Sequence, residues 1–487
     1  MPDILQDFGI NPEHLFIDGQ WVRSTDDALL DVLNPKDESV IARVAATSIE
    51  DADRAVAAAK RAQPKWAATR ADDRGAIIAK YASLVEQNLE KLAHLLVQEQ
   101  GKTLADARGE VGFTVKIFRF AAESARRIEG EILPGDNANE QIWTQRVPYG
   151  VVVGITAWNA PLALYARKVG PALVTGNTIV MKPAVFTPLT SMVLTELGRQ
   201  AGIPAGVLNL IGGEGRSIGA HLVGHKHTDI ISLTGSARAG EEVYRSAAPL
   251  IKPVRLELGG KAPFIVLEDA DIDKAVSAAV ASKYANGGTN CTANDRMYLH
   301  SAIYDEFMDK FIARSAQITV GDPMTDVNIG ARINQDEVVK LNKVKARAVS
   351  EGASILLENK LEGELFEKGY WFAPTVLEVK SNDAAIMHEE NFGPIVAAMK
   401  VSDYDEALSY ANDSEFGLTA YVFTEQNKRI MRAVNELDFG EVYINRGNGE
   451  SIYGFHTGYR KSGLGGEDGK HGIEGYLRYK SFYNNYN

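Results

Sequence analysis

Residues 151–182 read VVVGITAWNAPLALYARKVGPALVTGNTIVMK. VVVGIT is a short β-branched run, PLALYARKVGPALV carries apolar residues at helical spacing, and TIVMK is β-branched again. A strand, a helix and a second strand within about 30 residues make one βαβ unit, with its two strands parallel in one sheet. The grammar continues downstream. VLNLI, DIISLTG and PVRLEL are further strands, and LTSMVLTELGRQAG, RSIGAHLVG and ARAGEEVYRSAA are the helices around them. Near-continuous apolar strands suit a sheet covered on both faces. A second alternating series runs from APFIVLEDADIDKAVSAAV to EVYIN. The pattern predicts an α/β fold with two parallel-sheet domains in succession.

Upstream, FIDGQWV reads as a strand around a Gly turn. Residues 51–130 turn helical, with apolar side chains three and four apart in AVAAAKRA and LVEQNLEKLAHLLVQ. The polar alternating stretch NEQIWTQRV then leaves the main body, and the aromatic tail YLRYKSFYNNYN alternates in a way that predicts pairing with it near Ile142. The chain has 487 residues, enough for about three domains. Lys and Arg number 52 against 64 Asp and Glu, a net charge of −12, which argues against a nucleic-acid binder working through clustered cations. Apolar residues at 45% and charged residues at 24% are globular values and exclude a disordered or fibrous chain. No apolar run reaches the roughly 20 residues of a membrane helix, and the acidic N-terminus lacks a basic signal region. Cys291 is the only cysteine. These features predict a reducing, cytoplasmic setting with no membrane or nucleic-acid partner.

NGGTNCTAN sets Cys291 in a small, polar, Gly-rich neighbourhood after a helix. Local context leaves two readings open, an accessible nucleophilic thiolate and a buried structural cysteine. In PVRLELGGK, Glu257 ends an apolar strand just before Gly259 and Gly260. Open α/β sheets bind ligands at such strand ends, and burial there raises a carboxyl pKa toward general-base duty. The alternative is a surface carboxylate. SLTGSARAG places Gly235 and Ser236 between a strand and a helix, a turn that can lay a pyrophosphate on the helix N-terminus. VLNLIGGEGRSIG offers Gly213, Gly215 and Gly219 after another strand. Neither fits the GxGxxG dinucleotide fingerprint. His221, His225 and His227 have metal-like spacing, but no cysteine or carboxylate in the local sequence completes a ligand set, so no metal site is expected.

Taken in order, AWNAP, TGNTIVMKP, LTGS, LELGGK, the Cys291 loop, HEENFGP and GYRKSGLGG resemble the NAD(P)-dependent aldehyde dehydrogenase superfamily over nearly the whole chain. INRGNGESIYGFHTGYRKSGLGGEDGKHG and ARKVGPALVTGNT are most similar to its lactaldehyde and glycolaldehyde dehydrogenases. The resemblance implies a Rossmann-like NAD(P)-binding domain from residues 1–129 and 149–258, a catalytic domain at 259–460, and a small β arm, 130–148 with 470–487, that joins subunits into a dimer or tetramer. It implies that Cys291 attacks the aldehyde, that Asn159 and the Cys291 N–H hold the oxyanion, and that Glu257 is the base. Trp158, Lys182, Gly215, Gly235, Ser236, Glu390 and Phe392 fall at cofactor positions. Arg167, Glu450 and His456 fall at the substrate end, with Thr292 where those relatives carry Asn. NAD is the implied cofactor.

This chain departs from the family pattern at four further places. Ala157 and Ala160 stand in AWNAP where PWNFP is usual, leaving a roomier wall. Thr289 replaces a Gln, and Val185 replaces the Glu that faces the adenosine ribose, which admits NADP beside NAD. The expected reaction is oxidation of a short 2-hydroxyaldehyde to its acid. The competing readings are a broad-range, aromatic or semialdehyde dehydrogenase, a CoA-acylating enzyme, a silent scaffold, and a cysteine hydrolase. CoA-acylating members tend to lack a base at Glu257. A hydrolase needs a histidine for Cys291, and none stands out in the sequence.

Overall fold

Val151–Ile155 and Thr178–Lys182 pair in parallel, with Ile155 opposite Lys182, and the helix Pro161–Val174 crosses between them. Pro161 opens that helix at a position where its missing N–H costs nothing. The unit belongs to a computed structural model that describes residues 3–486. Its two strands lie inside an eight-stranded sheet ordered Gln20–Arg23, His14–Ile17, Leu208–Leu210, Thr178–Lys182, Val151–Ile155, Ile230–Thr234, Val254–Glu257 and Gly463–Leu464. The five strands from Leu208–Leu210 to Val254–Glu257 in that order are mutually parallel. Chain order reverses between Val151–Ile155 and Ile230–Thr234, so a crevice opens at their carboxyl ends.

The second sheet has seven strands, with Ala262–Val266 between Asn294–His300 and Thr419–Phe423. All its pairings are parallel except that of the edge strand Ser354–Glu358. The passage between the sheets is short, since Glu257 ends one strand and Ala262 opens the next. A separate three-stranded ribbon pairs Leu477–Asn485 antiparallel with Glu140–Pro148, placing Tyr483 opposite Ile142, and adds Glu131–Pro134. Its Ile132, Leu133, Trp143, Tyr479 and Tyr483 are exposed, so the ribbon encloses no core of its own.

Three local readings change. FIDGQWV is a hairpin rather than one strand, because Asp18 and Gly19 both take positive φ, 54° and 79°, which reverses the chain between His14–Ile17 and Gln20–Arg23. RSIGAHLVG opens as a π-helical turn, Gly215–Gly219, before the short helix Ala220–Gly224. Residues 470–476 do not join the ribbon. Gly469–Glu474 is a helix packed on Pro161–Val174, and Ile473 and Tyr476 sink into the core beside the first sheet.

Asp295 anchors the second sheet to the site. It is buried at the start of its strand, bonds Lys283 at 2.6 Å and Lys261 at 3.3 Å, and accepts the Asn391 N–H at 3.1 Å. These two ammoniums hold its carboxyl below the ordinary range despite burial. Removing one partner from such a group leaves uncompensated buried charge. Asp295→Ala is expected to cost about 3–5 kcal/mol, read as a lowered denaturation midpoint, whereas Glu306→Ala on the surface moves it by less than about 0.5 kcal/mol.

Candidate active site

The carboxyl ends of the first sheet face the loop before Asn294–His300, and a cavity of about 720 Å³ lies between them. Its lining includes Trp158, Asn159, Arg167, Lys182, Gly215, Gly235, Ser236, Glu257, Cys291, Glu390, Phe392, Glu450 and His456. Thr292 is buried behind Cys291. The structure thus brings every sequence-predicted residue to one place.

Cys291 sits in a turn that Asn290 ties together by accepting the Thr292 N–H at 3.2 Å and its hydroxyl at 3.1 Å. The thiol points toward the same Asn290 oxygen at 3.8 Å. The buried-structural reading of Cys291 fails on position, because the residue lines the cavity and is only partly covered. Behind it passes Gly260, where an added Cβ would lie 2.2 Å from the Cys291 carbonyl. Asn159 lies in the bend before Pro161. Its carbonyl accepts Lys102 Nζ at 2.8 Å and Asn286 Nδ2 at 2.9 Å, and its own Nδ2 donates to Thr289 O at 3.1 Å. The second amide hydrogen of Asn159 remains available to an oxyanion.

Glu257 is buried with no hydrogen-bond donor on either carboxylate oxygen. Burial pushes its pKa up to about 8, and His456, with Nε2 3.7 Å away, pulls the other way. His456 is the correction to the sequence reading. Its imidazole reaches Cys291 as well as Glu257, while Nδ1 meets Glu441 at 3.2 Å. Burial raises the Cys291 thiol and the nearby imidazole opposes that rise. The surrounding carboxylates, Glu450 foremost, hold His456 well above the ordinary imidazole range against the burial that lowers it.

At the far wall, Arg167 donates to Glu450 at 2.8 Å and to Asp468 at 2.5 and 3.2 Å, and lies over the Phe113 ring. Thr292 donates to Glu450 at 3.4 Å. Despite burial, His456 and Arg167 bring Glu450 down to about 2. The sequence reading missed Lys168, which is fully buried and bonded to Glu467 at 2.6 Å and Thr234 at 2.8 Å, and it missed Glu441, Glu467 and Asp468. A signal was present for Lys168, since ARKVG places two adjacent bases inside an otherwise apolar helix.

The other end fits a dinucleotide. Glu390 accepts the Gly260 N–H at 2.9 Å, and an added Cβ at Gly259 would fall 2.4 Å from its carboxylate. Burial raises Glu390 to about 6. Trp158 meets Phe392 edge to face at 5.4 Å. Lys182 is buried, pushed down to about 8 by burial, and donates to Pro183 O at 3.3 Å. Ser236 caps the eleven-residue helix Ala237–Ala247, whose free N–H groups face the cavity rim. A carboxylate acceptor at Glu390, an ammonium at Lys182 and a helix start at Ser236 are groups that can hold ribose hydroxyls and a pyrophosphate.

The model of the aldehyde dehydrogenase family matches residues 21–482. A 3,6-anhydro-alpha-L-galactose dehydrogenase of Vibrio sp. (strain EJY3) is 45% identical over 97% of this chain and 99% of its own. The lactaldehyde dehydrogenase of Escherichia coli (strain K12) is 42% identical over 96% and 98%. A solved 3,6-anhydro-L-galactose dehydrogenase in complex with NADP superposes with a TM-score of 0.95 at 48% identity, covering 96% of this chain and 99% of that one.

A base with a pKa near 8 is protonated at lower pH and gains its lone pair as pH rises. Turnover limited by acyl-enzyme hydrolysis is expected to climb between about pH 7 and about pH 9, and Glu257→Gln is expected to flatten that limb and lower kcat. Initial rates of absorbance gain at about 340 nm across that range check it, and an unchanged limb in the variant contradicts it.

Proposed function

The chain belongs to the aldehyde dehydrogenase family, and we propose that it oxidises a 2-hydroxyaldehyde to the free carboxylic acid through a thioester on Cys291. The carrying observation is the Glu257 carboxylate, buried and unbonded on both oxygens, in the same cavity as the Cys291 thiol. Cys291 gives up its thiol proton to solvent, attacks the carbonyl carbon as the thiolate and forms the C–S bond as the C=O π pair moves onto oxygen. The Asn159 amide and the Cys291 N–H hold the resulting oxyanion. NAD(P), held by Trp158, Lys182, Ser236, Glu390 and Phe392, would supply the two-electron oxidation by taking up the hydride from the former aldehyde carbon. Glu257 then takes a proton from water, whose oxygen displaces the thiolate and completes the acid. A base in this place supports water rather than CoA as the second nucleophile. A free-thiol nucleophile also fits a reducing, cytoplasmic setting.

The substrate assignment rests on Arg167, Glu450 and His456, which line the cavity, and on Thr292, buried behind Cys291 and within reach of Glu450. Arg167, Glu450 and His456 form a charged network there that a substrate hydroxyl can join and an alkyl chain cannot. The substrates named for the two relatives, lactaldehyde and 3,6-anhydro-alpha-L-galactose, both carry a hydroxyl next to the aldehyde carbon. They differ in bulk, and Ala157 and Ala160 leave room for either. The exposed apolar ribbon supports assembly of copies of this chain into a dimer or tetramer.

Lactaldehyde and propanal differ only by that hydroxyl. Lactaldehyde is expected to have a kcat/KM at least about tenfold higher, and Glu450→Ala and His456→Ala are expected to shrink the ratio, while Cys291→Ala abolishes turnover of both and retains NAD binding. Equal use of both aldehydes points instead to a broad-range enzyme.

Val185 neither accepts a hydrogen bond from a ribose hydroxyl nor repels a 2′-phosphate, and Lys182 stays as a cation nearby. The carboxylate of Glu214 lies close enough to Lys182 to temper that charge. NAD and NADP are therefore both expected to serve, with a preference for NAD below roughly a thousandfold in kcat/KM, about 4 kcal/mol. A larger ratio contradicts the assignment.

A further inference from the structure

His221 and His225 stand one helical turn apart, on Ala220–Gly224 and at its C-terminal cap. Within the local sequence they lack a third ligand. The fold supplies one from 168 residues upstream, on the helix Ile49–Ala68. Asp53 Oδ1 lies 2.6 Å from His221 Nε2 and 3.4 Å from His225 Nε2. The ligand atoms of the three residues all lie within 4.8 Å of one another, the one such histidine and carboxylate group found among the described residues.

We propose that Asp53, His221 and His225 form a surface binding site for a divalent ion of the zinc, nickel or copper class. Two imidazole nitrogens and one carboxylate oxygen suit these ions, whereas calcium and magnesium require more oxygen ligands. A tetrahedral ion with bonds of about 2.0–2.1 Å needs its donors roughly 3.3 Å apart, which small side-chain rotations provide here. Asp53 is half-exposed and His221 partly so, leaving the remaining coordination to water. Both imidazole nitrogens now face the shared Asp53 oxygen, so the ion replaces protons in this cluster.

Two features limit the affinity. His225 Nδ1 accepts the His227 N–H at 3.1 Å, a bond the ring gives up when its proton moves to Nδ1. Lys252 is close by, but its ammonium is turned to the Val223 and His225 carbonyls and the Thr228 hydroxyl at 2.6–2.7 Å. The expected affinity is therefore micromolar. The bound ion ties Ile49–Ala68 to the short helix that continues from Gly215–Gly219, the turn whose first residue lines the cofactor cavity. None of the three ligands lines that cavity, so the site stands or falls independently of the proposed reaction.

The test uses untagged full-length protein, stripped with a chelator and titrated calorimetrically with zinc. One ion per chain is expected. His221→Ala, His225→Ala and Asp53→Asn should each weaken binding at least about tenfold, while His94→Ala on a distant helix leaves it unchanged. Cobalt bound to the unaltered protein should give visible d–d bands that vanish in His221→Ala. Absence of zinc binding below about 100 µM, or stoichiometric binding that survives the double His221→Ala, His225→Ala change, overturns the proposal.

Discussion

Between Glu257 and Ala262 the chain crosses from one sheet to the other, and at Gly259 and Gly260 it does so with no room for a side chain. An added Cβ at Gly259 would fall on the Glu390 carboxylate, and one at Gly260 on the Cys291 carbonyl. The crossing therefore sets three distances at once. Glu257 is the last residue of its strand, Glu390 is held by the Gly260 N–H, and the Cys291 turn rests against the Gly260 backbone. Glu257, Cys291 and Glu390, the proposed base, nucleophile and ribose-binding carboxylate, belong to three separate segments, yet one backbone passage aligns them. Positioning of this kind lowers a reaction barrier without adding any group that reacts.

The same crowding concentrates charge. Arg167, Lys168 and His456 meet Glu257, Glu441, Glu450, Glu467 and Asp468 in a largely buried region. Buried ion pairs return little net stability, because desolvation offsets most of the attraction. This cluster is better understood through what it does to its members. Glu450 and Glu467 sit beside cations and stay ionised, while Glu257 finds no donor and is pushed toward its neutral form. Neighbouring carboxylates thus acquire opposite tendencies from their surroundings alone. Asp468 adds a local cost, since its φ of 59° with ψ of 172° is backbone that glycine usually occupies. Two hydrogen bonds to Arg167 hold it there.

Much of this was legible in the sequence because its signals are local. The apolar runs of the central strands, the helical spacing between them and the glycines after Glu257 all report on structure within a few residues. The hairpin at Asp18 and Gly19 was missed because Asp can take positive φ without announcing it. Lys168 left a weaker trace, and Glu467 none. His456 lies 165 positions beyond Cys291 by numbering, and only the return of Gly463–Leu464 to the first sheet brings its loop to the thiol. Asp53 and the two histidines show the same limit, since no window contains both.

That difference in range separates the kind of reaction from the choice of substrate. The groups that make and break bonds sit at strand ends in short strings, so the reaction class can be read from those strings. On the proposed function, substrate choice depends on how Arg167 is aimed, and its partners Glu450 and Asp468 lie 283 and 301 residues away, both beyond the last strand of the second sheet. A change in that stretch can redirect the guanidinium while every catalytic string stays intact. The two relatives, 45% and 42% identical to this chain, are named for aldehydes as different in size as an anhydrosugar and lactaldehyde. The returning loop carries both Glu450 and His456, so the segment proposed to select the substrate is also the one that charges the environment of Cys291 and Glu257. On that proposal specificity and reactivity are coupled through shared electrostatics, and a change in this loop acts on both.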